Sequence, residues 1–205
     1  MPVTAVPVGP DYILGPGDEV IIDIWGMVDA HYQTVIDHTG AITLPKIGRL
    51  HLWGLSYQEA KELFTAQLNK YYLNVQSSFT LGNLRTIKVF VLGEAVSPGG
   101  YEVSSLATLF QVLYLAGGPN SRGSMRYIKL WRNNKVIAEV DLYHFLLSGD
   151  NKEDIKLQSQ DTIFIPLTEK LVVITGSVRR PAFYELKEEK TLSDLINLAG
   201  GLTVF

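Results

Sequence analysis

The sequence predicts an α+β chain: a mixed N-terminal domain followed by two tandem β-grasp-like modules, the second one incomplete. Three observations lead there. Apolar runs of period two are interspersed with segments of helical period. The stretch VFVLGEAVSPGGYEVSSLATLFQVLYLAGG, Val89 to Gly118, returns as VVITGSVRRPAFYELKEEKTLSDLINLAGG, Val172 to Gly201. Each copy reads strand, Gly/Pro turn, strand and capped helix, which is how a β-grasp domain opens.

Taken in order, MPVTAVPVGP reads as an extended lead-in over 1–10, because its prolines block regular pairing. Gly15-Pro16-Gly17-Asp18 is a turn, after which Val20, Ile22 and Ile24 alternate as one face of a strand. YQTVIDHTGAITLP predicts a hairpin across Asp37-His38-Thr39-Gly40, its second arm ending at Pro45 before Gly48. SYQEAKELFTAQLNKYY changes to helical period, with Ala60, Leu63, Phe64, Leu68, Tyr71 and Tyr72 on one face. Ser56 and Glu59 form a capping box, so the helix should run from about Tyr57 to Tyr71. VQSSFTL is a strand and GNLR a break. These readings set a first domain over 11–86.

A first module then fills 87–168. Adding 83 to a residue number carries Val89, Gly93, Pro98, Tyr101 and Glu102 onto Val172, Gly176, Pro181, Tyr184 and Glu185. The same offset carries Thr108-Leu109 onto Thr191-Leu192, and Leu115-Ala116-Gly117-Gly118 onto Leu198-Ala199-Gly200-Gly201. So dense an ungapped match means tandem duplication, at a period too long for a solenoid. Thr108 and Thr191 are N-caps, boxed by Gln111 and Asp194. Leu109, Val112, Leu113 and Ala116 form the buried stripe, matched by Leu192, Leu195, Ile196 and Ala199. Gly117 and Gly200 stand where a left-handed residue ends the helix. The first copy continues through a hairpin across Asn133-Asn134, a short helix YHFLLSG and a last strand DTIFIP.

The second copy occupies 169–205 and has no counterpart to the later strands. Its Val172, Ile174, Leu186, Leu192, Leu195, Ile196 and Leu198 predict an apolar face buried against the preceding domain or a neighbouring chain, beside an open strand edge. The polypeptide is expected to continue past Phe205 and complete the module.

Composition narrows function. Of 205 residues 46% are hydrophobic and 19% charged, and mean hydropathy is +0.12, which is globular. A net charge of −3 argues against nucleic acid or anionic membrane as partner. The local cluster Arg122, Arg126, Lys129 and Arg132 reads as a solvated strand face. No apolar run reaches the roughly 20 residues of a membrane span, and no cysteine offers a disulfide, a nucleophile or a lipid anchor.

Catalytic patterns are missing. Glu102 and Glu185 are paired only by duplication, and equivalent positions predict similar environments, whereas an acid/base pair needs divergent ones. His31, His38, His51 and His144 lack metal-ligand spacing. LGPGD and GGPNSRG lack the Lys-Ser/Thr of a phosphate loop. No cofactor and no metal is therefore expected. Exposed aromatics suit glycan stacking or an interface, and the candidates are Trp25, Trp53, Tyr71, Tyr72 and Trp131.

Three stretches carry a resemblance: YILGPGDEVIIDIWG, DHTGAITLPKIGRLHLWGLS with the helix after it, and the repeated VFVLGEAVSPGGYEV…TLFQVLYLAGG. Through them the chain resembles the bacterial outer-membrane polysaccharide export family, in which a polysaccharide export domain precedes soluble-ligand-binding β-grasp (SLBB) domains. The residues matching its motifs are Gly17, Asp18, Gly40, Pro45, Gly48, Gly93, Pro98, Tyr101, Gly117, Gly118, Asp161, Gly176, Pro181, Tyr184, Gly200 and Gly201. Two departures stand out: Gln160 replaces the usual glycine before Asp161, and Arg179-Arg180-Pro181-Ala182 replaces a Pro-Gly corner. The lipid-anchoring cysteine and a C-terminal amphipathic membrane helix are both absent. The resemblance implies a non-catalytic subunit of a homo-oligomeric ring in the periplasm, associated with the outer membrane. Capsular or exopolysaccharide would pass through it, with an inner-membrane polysaccharide copolymerase as a further partner and no membrane span in this stretch. The alternative is a soluble carbohydrate-binding β-grasp module without a channel role. Purified chain should therefore leave capsular glycans intact. Turnover abolished by a single carboxylate substitution would refute this.

Overall fold

The computed structural model describes residues 8–72 and 74–203. Most of the expected lead-in lies outside them. The chain divides between Thr86 and Ile87 into two compact units.

In the first unit, β1 (Glu19–Gly26) is the central strand of a three-stranded antiparallel sheet. It lies between β2 (Ala30–Val35) and β5 (Val75–Leu81). Val20, Ile22 and Ile24 point inward and are buried, as their alternation requires. Helix α1 (Tyr57–Tyr71) covers that face, starting at the Ser56–Glu59 capping box. Ala60, Phe64 and Leu68 are its buried stripe, and the Phe64 ring lies 5.5 Å from Phe79 on β5. Tyr71 leaves the stripe: it is exposed, because the helix ends there and Tyr72 is already extended.

The expected hairpin over residues 32–45 is corrected. β2 pairs with β1, while β3 (Ala41–Leu44) pairs with β4 (Gly48–His51) across the turn at Pro45. The Asp37–Gly40 turn does form, with the Asp37 carboxylate accepting from Thr39 and Ala41 backbone N–H groups. It redirects the chain between sheets instead of folding it back on itself.

The second unit is a β-grasp. Its strands are β6 (Thr86–Gly93), β7 (Gly99–Ser104), β8 (Ile128–Arg132), β9 (Lys135–Val140) and β10 (Thr162–Ile165). They run in the order β7-β6-β10-β8-β9, with β10 parallel to β6 and antiparallel to β8. Helix α2 (Leu109–Leu115) buries Leu109, Val112 and Leu113 against Val89, Val91, Leu130, Ile163 and Ile165. Asn133 and Asn134 both take positive φ in the β8–β9 turn, as a tight two-residue hairpin needs. Helix α3 (Leu142–Ser148) follows β9 and ends at left-handed Gly149. Gln160, where the resemblance implies a glycine, adopts φ +70, so the turn carries the backbone cost.

The second copy contributes β11 (Leu171–Ile174), β12 (Ala182–Glu185) and α4 (Leu192–Leu198). The 83-residue offset holds bond by bond. Gly117 and Gly118 N–H groups donate to Tyr114 and Leu113; Gly200 and Gly201 donate to Asn197 and Ile196. These are two Schellman endings. The Tyr101 hydroxyl donates to the Ser97 carbonyl, and that of Tyr184 to Arg180. Side-chain burial does not follow. Leu109 is fully buried, whereas its counterpart Leu192 is 73% exposed, and α4 has no fully buried residue. Val172, Ile174 and Leu198 are half-buried against a small cluster of Tyr143, Val178, Tyr184 and Ala199. Because Tyr143 belongs to α3, the half-module does lean on the first module, through fewer residues than its sequence foresees.

Two glycines separate steric from conformational strain. A Cβ on Gly93 would lie 2.1 Å from the Ile165 carbonyl oxygen, whereas one on Gly118 would meet nothing within 4 Å. Both have positive φ. Gly118→Ala should cost about 1 kcal/mol, and Gly93→Ala clearly more, because backbone must move. Urea midpoints of the two variants check this, and equal losses would contradict it.

Candidate functional site

The site begins with local turns. Asp141 caps α3, its Oδ1 accepting the Tyr143 N–H at 2.9 Å. Its Oδ2 then faces Arg126, just before β8, whose Nε donates to it at 2.9 Å. Arg126 is 5% exposed, so the reading of a solvated basic strand face fails there. A buried guanidinium needs carboxylates and acceptors on every side, and the second copy supplies them. Arg126 Nη1 donates to both Glu189 oxygens at 2.8 Å and to the Glu185 carbonyl at 3.0 Å. Its Cζ sits 4.7 Å from the centre of the Tyr143 ring.

Further bonds close the junction. The Glu185 N–H donates to the Tyr143 hydroxyl at 2.9 Å, and Glu185 Oε2 accepts the Met125 N–H at 2.8 Å. The Tyr143 and Tyr184 rings meet edge to face at 6.3 Å. Lys187 Nζ reaches the Arg126 carbonyl and Glu139, each at 3.1 Å, and lies over the Tyr127 ring. Glu102 and Glu185 thus occupy different environments despite equivalent positions: Glu102 is exposed and Glu185 is 3% exposed. The cause is the junction, which only the second copy's strand enters.

Electrostatics follow geometry. Burial pushes Glu189 up, but the Lys187 N–H and Arg126 outweigh it and hold the carboxyl below its ordinary 4.5. Burial opposes the charge on Arg126 too, yet Glu189 and Asp141 raise its pKa above the usual value. Burial raises the Tyr143 hydroxyl.

Between α3 and α4 the junction opens into a groove of about 540 Å³ of mixed character, lined by Arg126, Arg180, Asp194 and Asn197 together with Tyr143, Leu147 and Leu198. It offers donors and acceptors suited to hydroxyl groups. Ser148, in its lining, donates its hydroxyl to the His144 backbone carbonyl, and the His144 Nδ1 meets Glu153 at 2.8 Å. Among the described residues no cluster of His, Cys, Asp and Glu could hold a metal.

The sequence-predicted aromatics sit apart from this groove. In the first unit Trp25 lies on the outward sheet face, its Nε1 donating to Gln76 at 2.9 Å. Trp53, 65% exposed, covers Gly40, where a Cβ would lie 2.3 Å from that of Trp53. Tyr71 is exposed and Tyr72 carries the Lys46 ammonium over its ring. In the second unit Trp131 is on the outward face of β8. The motif residues are structural: Gly17, Gly40, Gly48, Gly93, Gly117, Gly118, Gly176, Gly200 and Gly201 all have positive φ. Pro45, Pro98 and Pro181 stand in turns between paired strands, and Asp18 and Asp161 are fully buried in ion pairs with Arg85 and Arg132. The junction residues Arg126, Asp141 and Glu189 escape sequence reasoning. Their only signal is that Glu189 has Leu106 as its counterpart, a break in the repeat.

Comparison with known proteins agrees with this architecture. The family described as polysaccharide biosynthesis/export protein matches residues 6–82, and the SLBB domain matches 88–140 and 171–205. Two Escherichia coli proteins, each described as polysialic acid transport protein KpsD, are 32% identical over 181 residues. That alignment takes in 87% of this chain and 32% of each relative, so the chain spans about a third of their length. Among the described residues no helix is long and apolar enough to cross a membrane.

Replacing Arg126 with Met should strip Asp141 and Glu189 of their partner and cost about 3–5 kcal/mol, read as a lowered urea midpoint. Glu189→Gln in that background should recover part of the loss. Because Glu189 is held below 4.5, its contribution is present above that value and disappears as pH falls through and below it. Stability of wild type should therefore fall in that window more than stability of Glu189→Gln. Parallel acid titrations would disprove the coupling.

Proposed function

The chain belongs to the polysaccharide biosynthesis/export protein family, and from that premise we propose that it is the periplasmic part of a polysaccharide export channel. In this reading the channel is associated with the outer membrane, and copies of the chain assemble into a ring through which capsular or exopolysaccharide leaves the cell. The observation that carries the reading is the order of domains, an export domain and then tandem SLBB modules, together with identity to transport proteins along most of the chain. We assign the export domain to 11–86, the first SLBB domain to 87–168 and part of a second to 169–205. The chain conducts and docks, and does no bond-breaking chemistry. An inner-membrane copolymerase is the partner that would feed it polymer. The groove between α3 and α4, with polar groups beside apolar ones, favours a second reading, in which an SLBB module binds a short soluble saccharide.

The test is deletion of the gene in its host, with complementation by wild type and by Arg126→Met. The export reading expects surface polysaccharide to vanish on deletion, to return with wild type, and to return only weakly with a protein whose module junction is broken. Sedimentation of the purified protein should show discrete assemblies larger than a monomer. Undiminished surface polysaccharide after deletion would overturn the export role. A strict monomer would overturn the ring.

A further inference from the structure

A sheet covered by a helix on one side exposes the other, and that outward side is ordinarily polar. In the β-grasp of the first module it is not. Val89, Val91, Leu130, Ile163 and Ile165 face the core, so Phe90, Leu92, Trp131 and Phe164 face out. The pairing sets them in rows: Phe90, Thr162, Trp131 and Val136 lie side by side across four strands, and Leu92, Phe164 and Lys129 form the next row. Leu92, Phe164, Trp131 and Val136 are 36–46% exposed. Contiguous outward apolar side chains of this kind mark a binding surface.

The duplication supplies an independent observation. Phe90 lies over Gly100, where an added Cβ would sit 3.5 Å from the Phe90 ring. In the second copy the counterpart of Phe90 is Val173 and that of Gly100 is Phe183, and these two are direct cross-strand partners. The aromatic ring has changed strand and kept its place. Phe183 is 71% exposed and Val173 58%. Core packing cannot account for a ring maintained on the outward side of both copies.

We propose that this outward face, the Phe90–Thr162–Trp131 row with Leu92 and Phe164 beside it, is a stacking platform for an extended polysaccharide chain, repeated in the second module at Phe183. Two features select that ligand. Neighbouring strands are about 4.8 Å apart, so rings two strands apart stand roughly 10 Å from each other, which two pyranose units of an extended chain span. The face is a flat sheet whose rings can lie under sugar rings, with the Thr162 hydroxyl between them for a sugar hydroxyl. Its charges, Lys88, Lys129 and Lys187 against Glu102 and Glu139, leave one net positive, so the face turns away neither a neutral nor an acidic chain. The class of ligand rests on the export reading; the location rests on the exposed rows and the exchanged ring.

The experiment titrates the whole chain with neutral hexasaccharides of glucose, galactose and N-acetylglucosamine, and with a polyuronate hexamer, by calorimetry. Saturable binding of at least one hexamer is expected. Trp131→Ala and Phe164→Ala should each weaken it roughly three- to tenfold, Trp131→Phe should largely retain it, and Tyr114→Ala, on the solvent side of α2, should leave it unchanged. Unaltered circular dichroism keeps a folding defect from posing as lost binding. The proposal is overturned if no hexamer binds or if all variants bind alike. It is overturned equally if the Trp131 and Phe164 variants abolish self-association in sedimentation while wild type ignores every sugar, since the face is then a contact between protein copies. None of these results bears on export, which is judged by surface polysaccharide in cells.

Discussion

Arg126 has almost no water, and the second unit is arranged around that fact. A guanidinium so placed is tolerable only when carboxylates and carbonyls surround it. Asp141 comes from the cap of α3 and Glu189 with the Glu185 carbonyl from the second copy, so satisfying one side chain ties three stretches of chain together. The apolar contribution at the junction is small, a handful of half-buried residues around Tyr143 and Tyr184. Polar geometry therefore fixes how the half-module sits on the first module, and a polar contact specifies direction and register better than an apolar one does.

The same device appears at two other places, each inside one unit. Asp18 closes the turn from Gly15, taking its N–H, and draws in Arg85 together with the Tyr12 hydroxyl. Asp161 closes the turn from Gln158 in the same way and receives a two-pronged donation from Arg132 at 2.8 and 2.7 Å. In both cases a fully buried carboxylate sits just before a strand and takes its countercharge from far along the sequence. Each fixes where a strand begins by making any slip leave a buried charge alone.

What could be read in advance was what depends on neighbours in sequence. Capping boxes at Ser56, Thr108 and Thr191 join residues three apart, and the Gly-Gly helix endings join residues within two turns, so their chemistry is visible in a short window. The resemblance to an export domain and SLBB modules likewise came from contiguous motifs. The partner of β2 is not legible in the sequence, because a tight Asp37–Gly40 turn says where the chain bends and nothing of which strand it then meets. Tyr71 and Leu192 fitted a helical period yet stay exposed, since periodicity names a face without saying that anything covers it. Arg126 looked like one basic residue among four. Only Asp141 and Glu189, 15 and 63 positions away, distinguish it.

The duplication produced two copies with the same backbone endings, and the junction has since made them different parts. The first copy holds Met125, Arg126, Asp141 and Tyr143, which act as a socket; the second enters it with Tyr184, Glu185 and Glu189, which act as a plug. At the plug positions the first copy has Tyr101, Glu102 and Leu106, and so it lacks the carboxylate that answers Arg126. Succession along the polypeptide is thus written into side chains as well as into covalent order. Two modules transposed by circular permutation or recombination would still fold their hairpins and helices, but they would no longer recognise which of them comes first.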